Sequence, residues 1–483
     1  MSQDPIPEEQ QNPVQPDLTT FWQRLKTRLS PHWLTRDMRL LLAARISMSV
    51  ARALAGIIVP IYLVVIGFNA LELGLLFVAV GIVSAILSSL SGVLADRIGR
   101  KPLIVVLPWL TAISALIFIF SHTVALLFLF AALGSFGRGA GAGTGTIGPY
   151  QPAEQALLAD KVQARYRNNL FGLVGFASSL GALIGTGPLT ALNPLLVQFG
   201  WLSARGLATY QLSFFLIAVA AALAGLLAIP ITDDTVRQHA AKRAAQAADG
   251  VGRVRRQQIS RPSWFILVRL WLSNSVNGLA VGFFGPFITY WFYTRYGVDA
   301  ATIGLLYSLI NLAALFANLG AARFAARLGL VRAILIGRLL QAILMIPMVL
   351  APTFWMAGAV YLVRMCAQRL ALPLRQSYVM GVVPAEERGL VSALSILPSQ
   401  ATSSASPALA GYIFDHISLS LPFEIGALLQ GINAVLFYAF FRKLRPPEER
   451  GVSPEVVAAQ QEEPVLEQTA PVTEVVSEFP RSK

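Results

Sequence analysis

The chain has 483 residues, 55% of them hydrophobic and only 13% charged, with a mean hydropathy of +0.61. That balance excludes an ordinary water-soluble domain, which could not bury so much apolar surface. The formal net charge of +13 would suit nucleic acid on a folded basic face, but here the Lys and Arg sit in loops beside apolar segments, so anionic lipid is the expected counter-ion and no nucleic-acid partner is expected.

The first twenty residues, MSQDPIPEEQQNPVQPDLTT, have no apolar stretch of the kind a signal peptide carries, and 1–37 are expected to form a mostly disordered tail. Six apolar segments follow, near 40–67, 71–95, 103–121, 123–150, 169–190 and 209–230. Each is close to the ~20 residues that cross a hydrocarbon core of about 30 Å. A basic stretch over 231–262 interrupts them. Six more apolar segments then lie near 264–293, 301–324, 331–351, 354–382, 390–414 and 421–441, and an acidic tail, 446–483, is expected to be disordered. The pattern predicts an all-α membrane protein with twelve transmembrane helices, six in each of two bundles (38–230 and 263–445).

Basic residues recur on alternate loops: Arg24, Lys26, Arg28 and Arg36 before the first segment, Arg97, Arg100 and Lys101 after the second, Lys161, Arg165 and Arg167 after the fourth, and several between Arg237 and Arg261. The intervening loops offer little beyond Arg205 and Arg295. This bias predicts both termini on the cytoplasmic side of a plasma (inner) membrane. The single cysteine, Cys366, has no partner, and none of the four histidines falls deep in a segment, so no cofactor or metal is expected.

The two halves echo one another. Gly74-Leu75-Leu76 recurs as Gly304-Leu305-Leu306, SGVLADRIGRKP is answered weakly by AARFAARLGLVR, and the segment from Pro152 aligns with that from Pro373 at an offset of 221. Two related six-helix halves with a site between them are a transporter architecture.

On these residues the chain resembles the major facilitator superfamily over about 38–445. The strongest likeness is the loop after the second segment, where Gly92, Asp96, Arg97, Gly99, Arg100 and Lys101 match the superfamily's G-x-L-x-D-R-x-G-R-[RK] signature. The resemblance implies a gating loop that latches one access state. In the second half Ala326 stands where Asp96 stands in the first, so the latch is one-sided. Arg138, within LGSFGRGAG, is similar to the superfamily's intramembrane arginine motif, though the usual Gln is missing. Gly181, Gly185, Gly187 and Pro188 resemble the glycine-proline motif of antiporters without its closing Gly-Gly; a packing surface of small residues with a proline kink explains them equally well.

The stretch GRGAGAGTGTIGPYQPAEQ contains one G-x-G-x-x-G, Gly143, Gly145 and Gly148. A dinucleotide fingerprint needs a strand before it and a helix after it. This one continues an apolar run, so it is read as a close-packing surface of the fourth helix.

Ionisable groups inside such segments are costly and usually face a cavity or a partner. Arg52, Arg138, Glu154, Gln155, Arg364, Gln368, Arg375 and Gln376 are the candidate translocation and coupling residues. Arg45 and Arg52 share a face of the first segment, Arg364, Gln368 and Arg375 a stripe of the tenth, and Arg269, Ser273 and Asn277 a looser stripe of the seventh. Arg45, Arg269 and Arg338 lie nearer the basic side, where snorkelling to head groups would account for them. The repeat aligns Glu154-Gln155 with Arg375-Gln376, which suggests a Glu154–Arg375 contact across the cavity in one access state.

The expectation is a monomeric, non-enzymatic secondary transporter working by alternating access. Without a Walker sequence, a gradient must drive it. Proton-coupled export of small organic molecules is the first reading, and uptake or exchange of an organic anion the alternative. A receptor or lipid translocator would use the same scaffold.

Overall fold

The structure, a computed structural model, describes residues 34–121, 123–136, 148–162, 167–199, 208–233, 260–328, 330–382 and 388–442. Every regular element among them is an α-helix: α1 Arg36–Val65, α2 Ala70–Ile98, α3 Lys101–Phe120, α4 Val124–Leu133, α5 Gln151–Asp160, α6 Arg167–Thr186, α7 Pro188–Gln198, α8 Ala208–Ala228, α9 Arg261–Phe284, α10 Ile288–Tyr296, α11 Ala300–Leu328, α12 Leu330–Ile343, α13 Met345–Leu350, α14 Phe354–Val382, α15 Arg388–His416 and α16 Leu421–Phe441.

The breaks follow backbone chemistry. α6 gives way to α7 at Gly187-Pro188, and α9 to α10 across Gly285-Pro286-Phe287. α12 stops at Ile343, whose carbonyl would meet the ring of Pro347 four residues on. Three helix pairs are thus single bent crossings. The fourth crossing departs from expectation: its helix is not continuous over 123–150, because α4 ends at Leu133, residues 134–136 and 148–150 are not helical, and the next described helix begins at Gln151. Residues 137–147, with most of the glycine-rich stretch and Arg138, lie outside the described residues.

Eight segments are long and apolar enough to cross a membrane on length and composition alone. The others expected are the divided α4 and α5, α11, and two helices enriched in polar groups: α14 carries Arg364, Arg369 and Arg375, and α15 carries Ser399, Thr402, Ser403, Ser404 and Ser406. Outward faces suit lipid, as on α2, where Leu75, Ile82, Ile86 and Leu90 are exposed.

The packing is pseudo-symmetric. α1 packs on α6 and α8, and α3 on α8; in the second half α9 packs on α15 and α16, and α12 on α16. Between the halves α2 meets α15, as α11 meets α6 and α7. The repeated Gly-Leu-Leu tripeptides mark that second pair of contacts. A Cβ on Gly74 would strike the Pro407 carbonyl of α15, and one on Gly304 the Thr186 carbonyl of α6. Only glycine lets the backbones come so close.

Candidate functional site

One end of the bundle carries Arg36, Arg100, Lys101, Lys161, Arg261, Arg332 and Arg442 and is here called the basic end. The inter-half contacts gather toward the opposite end. The Asp415 carboxylate of α15 accepts from the Ala70 and Leu71 amides of α2 at 2.9 and 2.7 Å. Thr186 of α6 hydrogen-bonds Ser308 of α11 at 2.9 Å. Thr289 of α10 donates to the Gly56 carbonyl of α1 at 3.3 Å and is bonded to the Tyr307 hydroxyl at 2.9 Å. Aromatic rings fill in behind these contacts, with Phe77 of α2 edge-on to Phe287 (5.5 Å) and Phe287 tilted against Phe414 (4.9 Å).

In the first half α1 supplies charges to the fourth crossing. Arg45 Nη1 donates to Glu154 Oε2 at 2.5 Å, and Arg45 Nε donates to Ser178 Oγ of α6 at 2.5 Å. Both charged residues are buried, 3% and 2% exposed, and Glu154 is the only buried acid among the described residues. About two turns toward the basic end, Lys161 pairs with Asp37 at 2.6 Å. Toward the opposite end, Arg52 donates to the Gly134 carbonyl at 2.9 Å, and a Cβ on Gly148 would lie 4.0 Å from its Cζ. Gly134 and Gly148, on the two sides of the undescribed 137–147, therefore both lie near Arg52.

One expectation is corrected. Arg45 does not snorkel: it is buried and ion-paired, and its seven-residue spacing from Arg52 is the sequence signal that places it with the candidate set. The Glu154–Arg375 contact expected in one access state is not made in this conformation. Arg375 Nη2 donates to Asn274 Oδ1 of α9 at 2.6 Å, and Asn274 Nδ2 donates to the Ser395 carbonyl at 2.5 Å. Helix rotation sets these partners: each charge meets the helix beside it within its own half.

In the second half Arg364 is 2% exposed, with its Cζ 4.3 Å over the Phe284 ring. Arg338 is also buried, not snorkelling, with its Cζ 5.0 Å over Phe437. Arg269 is exposed at the surface of α9, as head-group contact requires. Ser273 donates to Asn433 Oδ1 at 2.8 Å and Asn433 donates to Asn277 Oδ1 at 3.1 Å, so the polar stripe of α9 bonds α16. Gln155 and Gln368 are half-buried, and Gln376 lies on α14 with its side chain outside the described set.

The gating loop is part placed. Gly92, Asp96 and Arg97 fall on α2, with side chains outside the described set, and Gly99 has φ 95°, a turn that favours glycine. The amides of Arg100 and Lys101 both donate to Asp233 at 2.6 and 2.8 Å, a carboxylate the sequence reading had not singled out. Gly181 and Gly185 back onto the Ile46 and Val50 carbonyls of α1, Gly187 caps α7 against Ser308, and Pro188 begins α7. Close packing with a break therefore describes the helix-five motif in this structure.

The fold and this buried polar interior are those of a membrane transporter. The family model of the Major Facilitator Superfamily matches residues 41–270 and again 270–481, and the chain belongs to that family. The "Quinolone resistance protein NorA" of Staphylococcus aureus (strain MRSA252) is 21% identical over 383 residues, covering 78% of this chain and 90% of that protein. Among solved structures, a bacterial homologue of the human lysosomal transporter Spinster in an inward-facing, unoccupied conformation superposes with TM-score 0.60 at 14% identity, over 86% of this chain and 98% of that one. A D-xylose-proton symporter gives 0.61 at 15% identity, over 84% and 96%.

Proposed function

We propose that this transporter exports small organic molecules in exchange for protons by alternating access, and that Glu154 carries the coupling proton. The observation behind this reading is the buried Arg45–Glu154 pair, which joins α1 to the fourth crossing and, through Ser178, to α6. Protonation of Glu154 removes one charge of the pair and frees Arg45, so the stitching of three helices depends on the proton. The drug-resistance role in the printed name of the NorA relative, and the proton in that of the D-xylose symporter, support the same reading. With the basic end in the cytoplasm of a plasma (inner) membrane, next to anionic lipid, the contacts at the opposite end close the outer face and the conformation is inward-facing. The chain works as a monomer of two six-helix bundles, 38–230 and 263–445, joined by the 231–262 linker.

Arg52, Arg138, Gln155, Arg364, Gln368, Arg375 and Gln376 are assigned to the translocation path, and Asp96 with its neighbours to the gate. Uptake or exchange of an organic anion is the second reading, favoured by the excess of buried Arg over buried Glu. The test is reconstitution into liposomes with a pH gradient, using ethidium and a quinolone as probes. Gradient-driven accumulation in the wild type, and its loss with retained exchange in Glu154→Gln, is the expected result. Accumulation by Glu154→Gln equal to wild type would refute the coupling role.

A further inference from the structure

Among the described residues, the second half holds buried cations with no acidic partner. Arg364 lies ten residues along α14 from Phe354, about 15 Å deep at 1.5 Å per residue, near the middle of a ~30 Å core. It is 2% exposed, its Nε has no hydrogen-bond partner, and its Nη1 reaches only the Met365 sulfur at 3.8 Å. The acids described in this half, Asp299, Asp415 and Glu424, are all exposed and belong to the end opposite the basic one. The Phe284 face under the guanidinium gives some compensation. So does the partial negative charge at the C-terminus of α9, which ends at that residue. Neither is a counter-ion, and an isolated buried charge is expensive unless it is paired. Arg338 of α12, whose Nη1 is likewise without a hydrogen-bond partner, differs in its setting: it lies over Phe437 of α16 and not over Phe284 at the break in α9.

The surroundings suit an incoming ligand. Arg364 heads the α14 stripe whose lower members, Gln368 and Arg375, are only half-buried, so the stripe is partly accessible toward the basic end. Tyr361, one turn further, is buried against Tyr307 and Phe292 in the aromatic layer that closes the opposite end. The cation thus sits at the head of a polar track, beneath an aromatic cap and beside a discontinuous helix, as mid-membrane substrate sites do.

We propose that Arg364 is the anion-recognition residue of this transporter, taking the carboxylate or sulfonate of a substrate whose flat apolar body lies against the Phe284 side of the site. The proposal rests on the transporter reading but not on its direction or its proton coupling. A planar guanidinium with a free Nε edge suits a two-oxygen anion, which it binds bidentately. Pairing in a site of low dielectric then discriminates strongly against a neutral analogue that leaves the cation unanswered.

The experiment measures binding to the purified full-length protein by calorimetry, with 1-naphthoate, 1-naphthalenesulfonate and neutral 1-naphthamide as probes. Both anions should bind the wild type at least about tenfold more tightly than the amide, a difference of ~1.4 kcal/mol. Arg364→Gln should abolish that preference, Arg364→Lys should keep part of it, and Arg338→Gln should keep all of it. Equal binding of acids and amide, no binding of any probe, or an unchanged preference in Arg364→Gln would overturn the proposal. If Arg364→Gln does not fold, Arg364→Lys decides, because a point charge without the planar fork must weaken the anions and spare the amide. A protein that fails here yet accumulates ethidium on a pH gradient loses only this assignment, and one that prefers the anions but ignores the gradient loses only the coupling.

Discussion

The carboxylate of Asp415, at the end of α15, caps the first turn of α2 by accepting from the Leu71 amide at 2.7 Å and the Ala70 amide at 2.9 Å. α2 already holds its own capping box, in which Asn69 Oδ1 accepts from the Glu72 amide at 2.8 Å and Glu72 Oε2 from the Asn69 amide at 3.0 Å. The second and third donors of the first turn, left over by that box, are satisfied only by the other half of the molecule. A negative charge at a helix N-terminus also gains from the helix dipole.

Asp415→Ala should therefore weaken closure at this end by about 1–2 kcal/mol, the usual worth of an N-terminal cap. That shifts the ratio of the two access states roughly 5- to 30-fold toward opening. Spin labels at the exposed positions 75 and 417, in a Cys366→Ser background, would show a longer distance population. An unchanged distance distribution would mean that other contacts hold the end closed.

Arg45 and Glu154 should be strongly coupled. Removing one partner leaves the other charged and buried, at a cost of about 3–5 kcal/mol. Arg45→Gln should lower the melting temperature more than the double change Arg45→Gln with Glu154→Gln, which leaves no orphan charge. Additive melting shifts in the double-mutant cycle would show that the pair is not an energetic unit.

Lys161 and Asp37 form a contact of nearly the same length, 2.6 Å, but are partly open to solvent, with side chains 19% and 17% exposed. Lys161→Ala should cost at most about 1 kcal/mol. A loss as large as that of Arg45→Gln would contradict the view that burial, rather than distance, decides the strength of these pairs.

Gly304→Ala should disturb the approach of α11 to α6, because its Cβ would meet the Thr186 carbonyl and the Thr190 side chain. Overpacking of this kind costs about 1–3 kcal/mol. Gly431→Ala, with nothing near its Cβ, should leave the melting temperature unchanged or slightly raised. Equal behaviour of the two variants would argue that the close inter-half contact is not needed.

Composition and segment length fixed the membrane class from sequence, because a hydrocarbon core needs long apolar helices whatever their partners. The Gly74 and Gly304 tripeptides also pointed to equivalent places, since backbone contact leaves glycine no substitute. Which charge meets which was not legible. Lipid is as apolar as a packed interior, so a membrane helix shows little hydrophobic periodicity to reveal its inner face. The rotation that turned Arg45 rather than Arg375 toward Glu154 therefore came only from packing. The end of α4 at Leu133 was hidden for a related reason: the run of apolar and small residues continues past it, so composition alone does not mark the stop. Asp415 and Asp233 were invisible as partners because the donors they accept from are backbone amides, which every residue but proline carries, so only the tertiary structure could show which ones lay in reach.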